Sequence, residues 1–418
     1  MIANRSKFIK DVGFALGSQF LARAVPAVLL ILVARTFGQD AFVNLSLFNY
    51  SATALAALVS LGMPNLAIKL AAQATTDPQR LKELVASFAF TVVLAVLASV
   101  ALQNVGIADW FGSERVAIGL VFLAAVSMAF FTWSTNVLSG LHLQTSTFWA
   151  ALVSAIVLLV VFGLAWFFGN PYLLYWGLCA SFALPTMLQF RVISSRLKLS
   201  LKNWLPSPDS LRQAIEEAFW YSLMAVIGPM IPLLFSRFLL QTDPSGHSVA
   251  LFSIGFQLMS IFSLIPSRIV IVLFPYQIRQ DDSDSTVRKL RLIVLAVIVS
   301  SGIFALLCAL GATPLLAIWH VSSTHATVMM FGFIMYGGLA VSNALYGNQL
   351  IAVGKIRQVV GIALFGHSMA VATGWILARW GGEFVSVALV FGQTFILIAT
   401  MLALQPHDLL NRGQAVKL

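Results

Sequence analysis

Charge is scarce in this chain. Asp, Glu, Lys and Arg make up only 10% of its 418 residues, against about 25% in an ordinary soluble protein. With 59% hydrophobic residues and a mean hydropathy of +0.91, a water-soluble globular fold is excluded. Cysteine is scarcer still. Cys179 and Cys308 both fall in apolar runs, where they read as small core residues; a disulfide framework or a metal site would need a different spacing. The sequence also lacks a nucleophile–base pair and a glycine-rich phosphate loop, which removes an ATPase site. It lacks the alternating pattern of an outer-membrane barrel.

What remains is a series of apolar runs, each long enough for a helix across ~30 Å of hydrocarbon. They lie near 11–34, 42–66, 84–106, 116–139, 147–168, 171–195, 215–240, 248–276, 291–312, 325–351, 357–378 and 384–405. The expected fold is therefore an all-α polytopic membrane protein with twelve transmembrane helices. The first run is too long for a signal-peptide core and reads as a retained first helix. With both termini in the cytoplasm, 19 of the 25 Lys and Arg residues fall on the inner side, three in outer loops and three inside spans. Such a bias fixes orientation. It also accounts for the net charge of +10 without a nucleic-acid partner.

The inner loop at 197–214 is basic, carries Pro206 and Pro208, and lies near the chain's midpoint. It reads as a linker between a six-helix half at 1–196 and another at 215–418. An internal repeat agrees. NVLSGLHL at 136–143 matches NALYGNQL at 343–350, SLGMPN at 60–65 resembles SLIPSR at 263–268, and Pro26 has counterparts in Pro229 and Pro232. Parallel repeats place a substrate path between the halves near the midplane.

Three arginines occupy the spans. Arg23 is near the middle of the first, Arg237 near the outer end of the seventh, and Arg268 in the inner half of the eighth. A cation at mid-depth costs roughly 3 kcal/mol on insertion scales. Gln19, Ala15, Ala27 and Ala34 share the face of Arg23, a polar and small stripe unsuited to lipid. Arg237 is close enough to the surface to snorkel. All 15 acids fall in loops or at span ends. The spans are thus net cationic, and the neutralising charge is expected from an anionic substrate. Guanidinium forks suit phosphate oxygens. Arg35, at the outer end of the first helix, extends the cationic set. Neutral amides that could line a sugar path are Gln19, Asn44, Asn49, Asn136, Gln257, Asn343 and Gln393; helix–helix hydrogen bonding is the competing role for each.

The stretches ARTFGQDAFVNLSLF (34–48), SLGMPNLAIKLAAQ (60–73) and NALYGNQLIAVGKIRQ (343–358), with the span layout and basic central loop, resemble the oligosaccharide flippases of bacterial polysaccharide export. These are the O-antigen flippase group of the MATE-like MOP exporter superfamily. The resemblance implies two six-helix halves around a central cationic cavity. It implies an undecaprenyl-pyrophosphate-linked oligosaccharide as substrate, turned from the inner to the outer leaflet of the cytoplasmic membrane by alternating access. A polysaccharide polymerase and a chain-length regulator are implied partners. Members often carry an acid where this chain has Ser60, so a carboxylate role at that corner is not carried over.

The coupling of transport is open. A buried acid usually marks a proton or sodium site. His367, in the middle of the eleventh run, is the candidate for proton coupling. A sodium gradient, the membrane potential, or removal of the flipped unit by polymerisation are the other drives. No cofactor or metal is expected, and a monomer suffices because the two halves supply the cavity. The runner-up is a MATE-type multidrug exporter, which would need an intramembrane carboxylate. A major-facilitator transporter would need a glycine-and-arginine signature at 67–83, and a glycosyltransferase or polymerase a large outer loop or paired acids near an early helix. DDSD at 281–284 reads as solvated loop charge.

Overall fold

The computed structural model describes residues 2–74, 77–104, 118–197, 208–264, 266, 283–352 and 354–404. The described elements are helical. They are α1 (Ile2–Phe37), α2 (Gln39–Ser60), α3 (Met63–Ala74), α4 (Pro78–Asn104), α5 (Ile118–Gly140), α6 (Gln144–Phe167), α7 (Leu173–Leu197), α8 (Pro208–Thr242), α9 (His247–Phe262), α10 (Ser283–Leu310), α11 (Ala312–Ala317), α12 (Ala326–Ala352), α13 (Ile356–Leu377) and α14 (Val385–Ala403), with a 3-10 turn at Ala378–Trp380. Each of the twelve apolar runs carries a helix. Eleven are long and apolar enough to cross a membrane, and α9 is apolar over its 16 described residues. The chain is a multi-pass membrane protein.

Two compact units divide the chain, Met1–Leu233 and Leu234–Leu418. Their boundary falls within α8, just after Pro229 and Pro232. Residues 198–207, most of the expected linker's first part, lie outside the described set.

In the first unit α1 runs along α6 and touches α2, while α5 packs against α2, α3 and α7. Gly17 lies under the ring of Phe148, where a Cβ would stand 2.9 Å from a ring carbon. One expectation needs correction. The 42–66 run is two helices, because Leu61 and Gly62 take left-handed φ values of 37° and 69° and end α2. The chain then re-enters a helix, so the stretch between the 42–66 and 84–106 runs is helical through Ala74. Its amphipathic pattern explains this: Leu66, Ala67, Leu70 and Ala71 are buried against Leu84, Val137 and Leu138, while Ile68 and Lys69 are exposed. The break itself is held. The Ser222 hydroxyl donates to the Leu61 carbonyl, and Asn136 Nδ2 donates to the Pro64 carbonyl at 2.9 Å.

In the second unit α12 is the central helix, packed by α9, α10 and α14, with α13 on α14. Phe235, Phe252 and Phe333 are fully buried; Phe252 meets Phe235 at 6.1 Å and Phe333 at 5.6 Å between centroids. Small residues allow this density: Gly255 sits under Phe333 and Gly374 under Phe235.

The turn from α8 to α9 is built on Asp243. Its Oδ1 accepts from the Ser245 backbone N–H at 3.1 Å and the Ser245 hydroxyl at 2.5 Å, and its Oδ2 accepts from the Ser248 N–H at 2.8 Å. Burial pushes the carboxyl up, but the bonds from Ser245 and Ser248 outweigh it and hold the carboxyl below its ordinary value of 3.8. A carboxylate favoured by the fold stabilises it above the unfolded pKa, and that contribution is lost as pH falls through the lowered folded pKa. Thermal unfolding in detergent should therefore show wild type more stable than Asp243→Asn at neutral pH. The gap should close below about pH 4. A gap independent of pH would show that the carboxylate charge is not what the turn uses.

Exposed aromatics mark corresponding ends of the two units. Trp166, Phe167, Phe168, Tyr172 and Trp176 surround the α6–α7 turn, and Trp375 and Trp380 flank the α13–α14 turn. Arg379 lies 5.3 Å over the Trp375 ring. Amphipathic rings gather where hydrocarbon gives way to headgroups.

Candidate functional site

Arg23 is partly buried, ten residues into the membrane-length segment of α1 that begins at Gly13. It projects from the face that carries Ala27, Leu30 and Ala34, all buried. Gln19, one turn earlier, is also partly buried. The structure thus places this cation on a packed face, as the helical stripe predicts. Arg237 is partly buried between the buried residues Ser236 and Leu239 on α8. Arg35 is exposed near the end of α1. Arg268 lies outside the described residues.

The amides divide into two kinds. Asn136 spends its Nδ2 on the α3 backbone. Asn343 is buried on α12, and its Nδ2 donates to the Gln393 carbonyl at 3.0 Å and to Gln393 Oε1 at 2.5 Å. These bonds hold helices together. Asn49 is partly buried, and its backbone carbonyl accepts from Thr53 at 2.7 Å. Asn44 is partly buried as well. Gln257 is partly buried on α9 with its Oε1 enclosed, and among the described residues nothing donates to that oxygen.

Sequence reasoning passed over Gln189 on α7. It is 2% exposed. Its Nε2 donates to Thr135 Oγ1 at 2.9 Å, and its Oε1 accepts from the Ser134 hydroxyl. Gln189 ties α7 to α5 as Gln393 ties α14 to α12. The two glutamines stand 204 residues apart, close to the repeat spacing that links Asn136 to Asn343. That spacing was the signal that would have found Gln189. Gln349, 1% exposed on α12, was passed over too.

His367 is partly buried in the middle of α13. Beside it, Gly366 meets α14, with a Cβ position 3.1 Å from the Gly392 carbonyl. Two acids are buried at helix ends. Glu83 is 3% exposed and pairs with Arg80 at 2.5 Å. Glu383 is 8% exposed and accepts from Ser323. Both are committed to local structure.

Residues 8–280 match the model of a family described as "Polysaccharide biosynthesis protein". A search of curated proteins gave no match. The fold is shared with solved transporters at low identity. An inward-facing multidrug resistance MATE family transporter of the MOP superfamily is 12% identical, covering 94% of this chain and 96% of its own, with a TM-score of 0.68. A MOP superfamily transporter from Pyrococcus furiosus, whose description refers to a binding pocket of reversed polarity and a different function, is 12% identical over 98% and 96%, with a TM-score of 0.65. The Vibrio cholerae MATE transporter VcmN in its bent form is 14% identical over 97% of each chain, with a TM-score of 0.61. The all-α fold is thus of the MATE-like kind.

Proposed function

Because the chain belongs to the polysaccharide biosynthesis protein family, we propose that it flips an undecaprenyl-pyrophosphate-linked oligosaccharide repeat unit from the cytoplasmic to the periplasmic leaflet of the bacterial inner membrane. The family is one of polysaccharide biosynthesis, and the structural neighbours are transporters. The observation that carries the finer reading is Arg23, a guanidinium on a packed face at mid-span. A pyrophosphate crossing hydrocarbon must exchange its hydration for fixed cations, since desolvation without them is prohibitive. Arg23 would take the pyrophosphate midway, Arg268 on the inner approach, and Arg237 and Arg35 toward the exit. The polyprenyl tail stays in lipid. The Pyrococcus furiosus transporter supports the reading in kind, because its binding pocket is described as reversed in polarity within the same superfamily.

Multidrug export is the weaker reading. It asks for an intramembrane carboxylate, and the buried acids among the described residues, Glu83 and Glu383, are at helix ends and engaged by Arg80 and Ser323. A proton or sodium gradient or the membrane potential would drive the cycle, with His367 as the proton candidate. A polysaccharide polymerase and a chain-length regulator would act on the flipped unit, and the transporter would work as a monomer without a cofactor.

The test is reconstitution in proteoliposomes. Labelled undecaprenyl-pyrophosphate oligosaccharide would be followed as it becomes exposed to an impermeant cleaving enzyme. Wild-type protein should raise the exposure rate well above that of protein-free vesicles. An unchanged rate sinks the flippase reading, and drug–cation exchange becomes the next assay.

A further inference from the structure

Serine hydroxyls in membrane helices ordinarily bond back to a carbonyl three or four residues earlier. Ser134, Ser181, Ser301 and Ser342 all do so here. Ser253 does not. It is 0% exposed on α9, and among the described residues its hydroxyl has no hydrogen-bond partner. Gln257 follows one turn later, with its enclosed Oε1 in the same condition. Residues at i and i+4 lie on one helix face with Cβ atoms ~5–6 Å apart. A hydroxyl group reaching this face would donate to Gln257 Oε1 and exchange a second hydrogen bond with Ser253 Oγ.

The serine half of the arrangement recurs, while Tyr50, at the position matching Gln257, has a partner. Ser46 and Tyr50 stand 207 residues before Ser253 and Gln257, the same spacing that separates Asn136 from Asn343. Ser46 is 2% exposed on α2, and its hydroxyl is likewise without a hydrogen-bond partner among the described residues. A buried hydroxyl without a hydrogen-bond partner among the described residues, at matching positions of α2 and α9, is a second observation that the position is built for a polar group.

We propose that Ser253 and Gln257 form a binding position for a single hydroxyl group, supplied either by an ordered water or by a sugar of the cargo. The sugar source rests on the flippase reading; the water source does not. An unpartnered buried polar group destabilises, whereas one partner of a satisfied pair stabilises. Removing each group therefore gives opposite signs in the two cases.

The experiment is a double-mutant cycle with Ser253→Ala and Gln257→Met, the latter close in length to glutamine. Unfolding temperature is read in detergent without cargo, and flipping rate in proteoliposomes with undecaprenyl-pyrophosphate oligosaccharide. If water is the ligand, each single variant lowers the unfolding temperature and the double variant falls no further than the worse single. If a cargo hydroxyl is the ligand, the cargo-free cycle is additive and the same non-additivity appears in the flipping rate. Additivity in both readouts, or a rise in unfolding temperature for Ser253→Ala alone without coupling in flipping, overturns the proposal. A wild type that flips nothing sinks the flippase reading but leaves the cargo-free cycle intact.

Discussion

Arg23→Ala should lower the flipping rate roughly ten- to hundredfold, the loss expected when a charge-assisted hydrogen bond of about 1.5–3 kcal/mol is removed from the rate-limiting state. Arg23→Lys should fall between, because an ammonium keeps the charge but gives up the planar fork that grips two phosphate oxygens. Arg23→Glu should stop flipping altogether. The effect is large because the group sits at mid-span on a packed face, where water is too sparse to screen it. Circular dichroism and elution profile in detergent would separate loss of function from loss of fold. A folded Arg23→Ala variant that flips at the wild-type rate would make the arginine structural and move the cationic site to Arg237 and Arg268.

Gly392→Ala is the second large effect, and it is one of stability. A Cβ at Gly392 would stand 2.6 Å from the Gly366 carbonyl oxygen and 2.7 Å from Ala370 Cβ. Neither atom is at the end of a flexible side chain, so α13 and α14 must separate. Overpacking of this kind costs roughly 3 kcal/mol. Gly361→Ala, on the partner helix α13, is the control. Nothing lies within 4 Å of its Cβ position, and exchanging glycine for alanine in a helix gains up to about 1 kcal/mol. Unfolding temperatures should move in opposite directions. Equal shifts would mean that the close approach of the two helices does not hold in the membrane.

The spans were legible because hydrocarbon imposes one simple rule, a long apolar run, and little competes with it. The α2–α3 break was not, because Leu61 and Gly62 interrupt a pattern without changing its composition. α3 stays helical by burying Leu66 and Leu70 against α4 and α5, contacts made with residues remote in sequence. Arg23 was found because a cation stands out among apolar residues. The amides did not sort themselves in the same way. Nothing local separates Asn343, which clamps two helices, from Gln257, whose oxygen is left over. Burial of Glu83 and Glu383 was also hidden, since an acid at a span end is ordinarily solvated and only its partners Arg80 and Ser323 say otherwise.

The Gln189 bond to Ser134 and Thr135 closes within the first 197 residues of the chain, and the Gln393 bond to Asn343 closes wholly within the second unit. Polypeptide is made from the N-terminus, and units that complete their own contacts can fold as they leave the ribosome. Here the early unit can lock its fourth and sixth membrane helices while the rest of the chain is still being translated. An insertase thus receives a self-latched bundle early, rather than a dozen loose greasy segments all at once.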